Sequence, residues 1–234
     1  MQHNRIVIFL CCLLALLCPM NGCTQSVSAA NDEASAGFLD ELVFLGDSTT
    51  AHMEQRSTLQ KHQIWAAKSR YLNLDSRITY AKIVAPDTGE EETIAAVAAR
   101  IKPRYLVVTL GVDYGVYYYR DKPEIFRLYY EKLLDAIQKA SPDTVLLPQS
   151  VFPVGKNAVG VTREMVANAN GVIRRLAADR GLYFIDQWGT LADSEGYLRP
   201  EYCYSEDGLH LTASAYRAVL DHILSLEDEI GGGK

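Results

Sequence analysis

The sequence has 234 residues, of which 48% are hydrophobic and 22% are charged, and its formal net charge is −6. This apolar content excludes disorder as the general state of the chain, and a chain of this length buries a core without a disulfide framework. The excess of acids and the lack of any dense Lys/Arg run argue against a nucleic-acid-binding protein, because phosphate contacts need clustered cations.

The N-terminus has the pattern of an export signal. Arg5 precedes an uncharged apolar run, Ile6–Cys18, which is shorter than the ~20 residues of a bilayer span but matches the ~7–15 residues of a signal-peptide core. A buried N-terminal helix is the alternative for this run. We predict a signal peptide over residues 1–22, a polar tether over residues 23–38, and export of the mature protein.

Two processing sites compete at the end of this segment. The four residues that end in Cys23 resemble a bacterial lipobox, which would make Cys23 a lipid-anchored N-terminus, whereas Ser28-Ala29-Ala30 fits ordinary cleavage. The mature protein is therefore expected to be either a membrane-anchored lipoprotein or a secreted protein. No internal disulfide is expected, because Cys203 is the only cysteine beyond residue 23.

The rest of the chain alternates between strand and helix patterns. Five short apolar runs are predicted as strands: Glu41–Leu45, Gln63–Ala67, Tyr105–Leu110, Thr144–Pro148 and Leu182–Ile185. Most are continuously apolar, which is typical of parallel strands covered on both faces. Four amphipathic patterns are predicted as helices: Glu91–Ile101, Pro123–Ala140, Arg163–Arg180 and Thr212–Leu226. This alternation predicts an α/β fold, a three-layer α/β/α sandwich, over residues 39–228.

Two segments fall outside the alternation. In Tyr71–Val84, apolar residues flank a polar turn at Asp75-Ser76, which predicts a β-hairpin inserted after the second strand. Residues 229–234 are predicted to be a flexible tail.

A first chemical motif, Gly46-Asp47-Ser48, follows the first predicted strand. Ligands in open α/β sheets bind at the carboxyl ends of strands, and exposed N–H groups at a helix start stabilise an oxyanion. Ser48 is therefore a candidate nucleophile, but a serine needs a base to be activated. The alternative is structural: Ser48 or Thr49 caps a helix and Asp47 forms a turn.

A second motif, Asp207-Gly208-Leu209-His210, precedes the last predicted helix. With this spacing the carboxylate can fold back onto the imidazole, fix its tautomer and raise its basicity. His210 is then a candidate general base, and the alternative is a loop histidine beside a turn aspartate. No metal is predicted, because the sequence has no H-x-x-x-H pattern and no Cys/His cluster.

Together these motifs resemble the GDSL/SGNH hydrolase superfamily. The resemblance rests on the order of FLGDSTT, VTLGVDYG and DGLHLTASAY, and it spans Glu41 to about Ile223. It implies a flavodoxin-like five-stranded parallel sheet between helices and ester hydrolysis through a serine acyl-enzyme, with no cofactor. By resemblance, Ser48 would be the nucleophile, His210 the base and Asp207 the residue that orients the base.

Two positions depart from the family pattern. Family members have Gly-x-Asn in the third block, whereas this chain has Asp113 in place of the asparagine, and an ionised carboxylate cannot donate to an oxyanion. The second-block glycine, a backbone donor, would fall near Ser69 and Arg70, where there is no glycine; Gly89 is the other candidate. These departures leave the nucleophile and its base intact.

The substrate is predicted from the surroundings of these motifs. Tyr114 lies with three other tyrosines in the loop after the third strand, where it would stack on a sugar or line an acyl pocket, or else pack beneath the loop. Arg70 would suit an anionic substrate, although a solvated surface charge is the simpler interpretation. The leading hypothesis is a serine esterase that acts on O-acyl esters, foremost acetyl esters, of an extracytoplasmic carbohydrate, with lipid esters second. The alternative is a non-catalytic or weakly active glycan-binding protein of the same fold.

Overall fold

A computed structural model of the chain describes residues 37–110, 112, 114–204 and 206–232. The predicted signal peptide, the predicted lipidation site Cys23, most of the predicted tether and Asp113 lie outside the described residues. Within these residues, no helix has the length and apolar character needed to cross a membrane.

Strands and helices follow one another along the chain much as the sequence indicates. The strands are β1 (Leu42–Gly46), β2 (Ile64–Ala66), β3 (Lys82–Val84), β4 (Glu91–Thr93), β5 (Tyr105–Thr109) and β6 (Val145–Pro148). The helices are α1 (Ser48–Arg56), α2 (Ile94–Ile101), α3 (Pro123–Ala140), α4 (Arg163–Asp179), α5 (Trp188–Leu191), α6 (Ala213–Ser225) and α7 (Glu227–Gly231). Residues 37–41 are also helical.

The central sheet is parallel and has the strand order β2-β1-β5-β6. All residues of β1 and β5 are buried, as expected for strands covered on both faces. Alternate strand residues face two apolar layers. Val43 and Leu45 join the layer that contains residues of α2, α3 and α4, while Leu42 and Phe44 join the layer that contains residues of α1 and α6. The predicted three-layer α/β/α sandwich is therefore confirmed.

The fifth predicted strand, Leu182–Ile185, is reduced to a single parallel bridge between Gln149 and Ile185. The segment lies at the expected sheet edge, where Ile185 N donates to the Pro148 carbonyl at 2.9 Å. The ladder cannot extend toward Leu182 because Pro148 has no N–H to donate. In the other direction, Gln187 N donates to the Ser150 hydroxyl at 2.9 Å in place of a backbone carbonyl. The described sheet therefore has four strands.

The inserted hairpin exists, but its predicted position was wrong. β3 pairs antiparallel with β4, whereas the first half of the predicted segment is irregular and includes a 3₁₀ turn at Ile78–Tyr80. β4 takes residues that were predicted to begin α2. That helix starts later because the Thr93 side chain caps it, accepting from Ala96 N at 3.3 Å.

The two ends of the domain are also longer than predicted. Phe38, assigned to the tether, is buried against the core. Ile230, assigned to the flexible tail, is buried in α7. Apolar side chains at these two positions attach both ends to the layer that contains α1 and α6.

Candidate functional site

The site forms where parallel strands end together. Gly46 of β1 is in register with Ala66 of β2 and with Thr109 of β5. The three strands are followed by α1, by the loop at residues 67–70 and by the loop after residue 109. These three segments therefore start at one edge of the sheet. This edge is where α/β sheets bind ligands.

The turn from β1 into α1 is tight. A Cβ atom on Gly46 would lie 2.0 Å from Thr50 Oγ1 and 2.5 Å from the Thr109 carbonyl oxygen. Only glycine fits between the start of α1 and β5, so this residue sets where the helix begins. The position predicted for Ser48, at a strand–helix junction, is confirmed.

Ser48 is the first residue of α1, and it is half-buried. The N-cap is Asp47, whose carboxylate accepts from Thr49 N at 3.2 Å and from Thr49 Oγ1 at 2.9 Å. The capping role considered for Ser48 or Thr49 therefore belongs to Asp47. The Ser48 N–H lies in the first helical turn, where backbone donors have no intrahelical acceptor, and it is available to an oxyanion.

Asp207 and His210 are in direct contact. Asp207 Oδ2 lies 2.6 Å from His210 Nδ1, and Oδ1 accepts from Leu209 N at 2.8 Å and from His210 N at 3.2 Å. A carboxylate only accepts, so Nδ1 carries the ring hydrogen and Nε2 keeps its lone pair. This is the arrangement a general base needs.

The loop that carries His210 is fixed at both ends. Tyr204 N donates to the His210 carbonyl at 2.7 Å, and Gly155 N donates to the Gly208 carbonyl at 2.7 Å. The Asn157 side chain also donates to the Glu206 carbonyl. These bonds dock the loop on residues 155–157 and hold the imidazole near the sheet edge.

His52, which is not among the residues predicted from the sequence, joins the two motifs. It lies one helical turn after Ser48, so the two side chains share a face of α1. Its ring packs edge-to-face on the ring of His210, with centroids 4.6 Å apart. The base is thus held beside the helix face that bears Ser48, although no hydrogen bond joins Ser48 to His210 within the described chain. Catalytic hydrogen bonds often tighten only when substrate is bound.

The surroundings of His52 keep it neutral. Burial first, and then the charges of His210, Arg56 and Arg70, lower the pKa of His52 to about 4, while Asp207 opposes the shift. A neutral imidazole beside the base does not repel the imidazolium that forms on His210 during proton transfer.

Arg70 contacts this histidine. Its Nη1 lies 3.4 Å from His52 Nε2, and because a guanidinium only donates, Nε2 is the acceptor. His52 Nδ1 then carries the hydrogen; it is buried and has no hydrogen-bond partner among the described residues.

The second-block position has the backbone of a glycine. Arg70 has φ +64°, and its N–H donates to the Ala67 carbonyl at 2.8 Å. Neighbouring Ser69 is exposed, and its hydroxyl accepts from Tyr71 N at 3.3 Å. The Arg70 N–H is therefore engaged in a turn, and the part of this residue that reaches the site is its guanidinium.

The loop after β5 presents aromatic rings. Tyr114 is half-buried and stacks on Tyr118, with centroids 3.9 Å apart, and its carbonyl accepts from Leu74 N at 3.0 Å. Tyr117 and Tyr118 are exposed. The predicted oxyanion position Asp113 is outside the described residues. Among those that are described, no group of three or more His, Cys, Asp or Glu side chains could hold a metal ion.

Comparisons with known proteins identify the family. The model of the GDSL-like Lipase/Acylhydrolase family matches residues 44–218, and no curated protein matches the sequence significantly. The fold is similar to that of a GDSL-like lipase from Bacteroides thetaiotaomicron, at 14% identity, with 88% of this chain and 97% of that chain covered and a TM-score of 0.52. It is also similar to a protein of Lactobacillus plantarum, at 20% identity, with 80% and 95% covered and a TM-score of 0.51.

The matched segment includes Ser48, Asp207 and His210, and the resemblance predicted from three short sequence blocks is confirmed. The chain belongs to the GDSL-like lipase/acylhydrolase family of ester hydrolases.

Proposed function

We propose that this protein is a serine esterase that removes small acyl groups, foremost acetyl, from carbohydrate hydroxyls through an acyl-enzyme on Ser48. The observation that carries the proposal is the 2.6 Å contact between Asp207 and His210, on a ring that packs against the face of α1 that bears Ser48. A nucleophile, a base and a group that orients the base are the parts that acyl transfer needs.

In the first half-reaction, Ser48 Oγ attacks the ester carbonyl carbon and its proton passes to His210 Nε2. The carbonyl oxygen becomes an oxyanion, which the Ser48 N–H stabilises. When the intermediate collapses, the bond to the sugar oxygen breaks and His210 returns the proton to that oxygen. Water then repeats the sequence on the acyl-serine and releases the carboxylic acid. Asp207 stabilises the imidazolium in both halves.

The surroundings of the site support a small acyl group on a sugar. A cleft of about 260 Å³ lies between α1 and the loop after β2 and is lined by Ala51, Ala67 and Arg70. An acyl chain that runs from Ser48 in this direction finds less volume than the ~300 to 1,000 Å³ of most ligand pockets. The exposed rings of Tyr117 and Tyr118 supply flat surfaces on which sugars stack.

We also propose that the protein acts outside the cytoplasm, on the strength of the apolar run Ile6–Cys18 and the lipobox-like residues that end in Cys23. Labelled palmitate should enter the wild-type protein in bacteria and should not enter Cys23→Ser. A wild-type protein that stays unlabelled and remains in the cytoplasm would contradict this proposal.

Turnover of 4-nitrophenyl acetate tests the nucleophile. Ser48→Ala should reduce kcat to the background rate, and a fluorophosphonate should label the wild-type protein on the peptide that contains Ser48. Ser76→Ala, at an exposed loop serine, is the matched control and should retain activity and labelling. Hydrolysis that persists in Ser48→Ala would refute the proposal.

Substrate class is tested with a series of esters. We expect the protein to release acetate from acetylated xylan. We also expect kcat/KM to fall from 4-nitrophenyl acetate to the butyrate and to the octanoate. A rise along this series would favour lipid esters. Binding of xylan oligosaccharides without any turnover would favour the non-catalytic glycan-binding protein.

A further inference from the structure

Arg70 adopts a backbone conformation that a residue with a side chain rarely takes. Its φ of +64° is shared among the described non-glycine residues only by Lys102, at +52°. The left-handed region is unfavourable for a non-glycine residue, and such strain is concentrated at functional sites. Lys102 has an ordinary explanation, because it ends α2 as the C-cap. Arg70 ends no helix.

The Arg70 guanidinium also lacks the usual partner of an arginine. It forms no ion pair with any carboxylate in the described part of the chain, although the protein carries an excess of acids. Its polar contact is instead with a neutral imidazole, His52 Nε2, at 3.4 Å. A guanidinium that is held by a neutral acceptor keeps its full charge and its remaining N–H donors for another group.

His52 directs this cation to the reaction site. Its ring contacts the ring of His210, and it shares a face of α1 with Ser48. The guanidinium is therefore attached to the same cluster as the proposed nucleophile and base. The two positions that depart from the family pattern supply no neutral donor. The N–H of Arg70 is bonded to Ala67, and residue 113 is an aspartate in the sequence, whose carboxylate has no donor.

We propose that the Arg70 guanidinium, positioned by His52, is a catalytic residue that donates a hydrogen bond to the substrate carbonyl oxygen as it becomes the oxyanion. This inference rests on the proposed serine esterase function. Arg70 keeps all its protons throughout: it stabilises the charge while Ser48 adds, and the charge disappears when the bond to the alcohol oxygen breaks. A charged donor compensates for the loss of two neutral ones, because charge-assisted hydrogen bonds are about twice as strong.

Arg70→Gly is the decisive variant. Glycine adopts a φ of +64° without strain, so the fold should be retained while the guanidinium is removed. We expect kcat on 4-nitrophenyl acetate to fall by about 10²–10³, the usual cost of one oxyanion donor. Added guanidinium chloride, at concentrations far below denaturation, should restore part of kcat. Lys102→Gly, the same change at the other strained position, is the matched control and should leave kcat unchanged.

His52 is tested as a positioning residue by a double-mutant cycle. His52→Leu should lower kcat in the wild-type background, and His52→Gln, which keeps an acceptor, should retain more of it. In the Arg70→Gly background the same two substitutions should have a smaller effect, because the cation that His52 positions is absent and only its packing on His210 is lost. A merely structural role for His52 would lower kcat equally in both backgrounds.

The outcomes separate this inference from the proposed function. If Ser48→Ala is inactive and Arg70→Gly keeps kcat within about 3-fold of wild type, the esterase stands and the inference fails. A gain of activity in Arg70→Gly would mean that a backbone N–H is the donor and would also overturn the inference. An increase in KM of Arg70→Gly that is confined to anionic esters would also overturn it, because Arg70 would then be a specificity residue. A wild-type protein without serine-dependent turnover would overturn both.

Discussion

Asp207 holds both the backbone and the ring of His210. One carboxylate oxygen accepts from the backbone N–H groups of residues 209 and 210, and the other contacts Nδ1 at 2.6 Å. An asparagine at this position would keep the backbone contacts with its amide oxygen, but its NH₂ group would face Nδ1. His210 would then adopt the other tautomer, in which Nδ1 is the acceptor and Nε2 carries the hydrogen. Nε2 could not accept the serine proton in this form.

Asp207→Asn should therefore lower kcat by about 10²–10⁴ while the loop stays folded. The measurement is kcat on 4-nitrophenyl acetate together with the thermal midpoint, which should change little. Asp207→Ala, which removes the backbone contacts as well, should lower both quantities. Retention of kcat within about 10-fold in Asp207→Asn would show that tautomer control by Asp207 is not needed.

Single residues differ in how far the sequence can predict them. Asp207 and His210 are three residues apart, so their contact follows from local spacing. His52 has no aspartate three residues before it, as His210 has, but its spacing of four from Ser48 is the signal that places it on the nucleophile's side of α1. The backbone of Arg70 could not be predicted, because arginine rarely takes a positive φ and the turn is imposed by tertiary context.

Among the elements, the loop at residues 206–210 depends on one glycine. Gly208 has φ +71°, and a Cβ there would lie 2.8 Å from Ala158 N and 2.8 Å from Asn157 Oδ1. The loop that carries His210 is thus pressed against the backbone of a neighbouring loop. Gly89 has a similar φ, +76°, but a Cβ there would meet nothing within 4 Å.

Alanine substitutions at Gly89 and Gly208 distinguish the cost of backbone strain from the effect of displacing the loop. Gly89→Ala should cost about 1 kcal/mol from strain alone and should leave kcat unchanged. Gly208→Ala should cost more and should lower kcat by about 10²-fold, because a displacement near 1 Å at a catalytic group has that effect. Equal losses of stability in the two variants, with kcat unchanged in both, would show that the loop adapts without moving His210.

Elements with a regular spacing of apolar residues were predictable, whereas elements whose ends are set by hydrogen bonds to the backbone were not. The boundaries of α3 were predicted from its apolar spacing alone. The strand β4 was missed because Glu91–Thr93 has the acids of a helix start, and the Thr93 cap lies inside that pattern. The fifth strand was shortened by its partner, because Pro148 has no N–H to donate and the Ser150 hydroxyl takes Gln187 N. Neither effect can be read from residues 182–185 themselves.

At the scale of the whole molecule, the site joins the two ends of the domain. The nucleophile lies at the start of α1 and the base lies just before α6, and these helices share one apolar layer. Tyr216 of α6 connects them directly: its hydroxyl donates to the Thr49 carbonyl at 2.6 Å, across 167 positions of sequence. Burial raises the pKa of this phenol, so it stays a donor. Hydrophobic periodicity predicts that α6 packs on the sheet, but it cannot predict this bond.

Tyr216→Phe should therefore disturb catalysis as well as stability. Tyr130→Phe is the matched control, because that buried hydroxyl donates to the Val108 carbonyl at 3.0 Å on the other side of the sheet. Each substitution removes one side-chain hydrogen bond to a buried carbonyl, and each should lower the free energy of unfolding by about 0.5–1.5 kcal/mol. Only Tyr216→Phe loosens α6 from the residue next to Ser48. The rate at which a fluorophosphonate labels Tyr216→Phe should fall under conditions where both variants are fully folded. Equal labelling rates in the two variants would mean that packing alone aligns the base with the nucleophile.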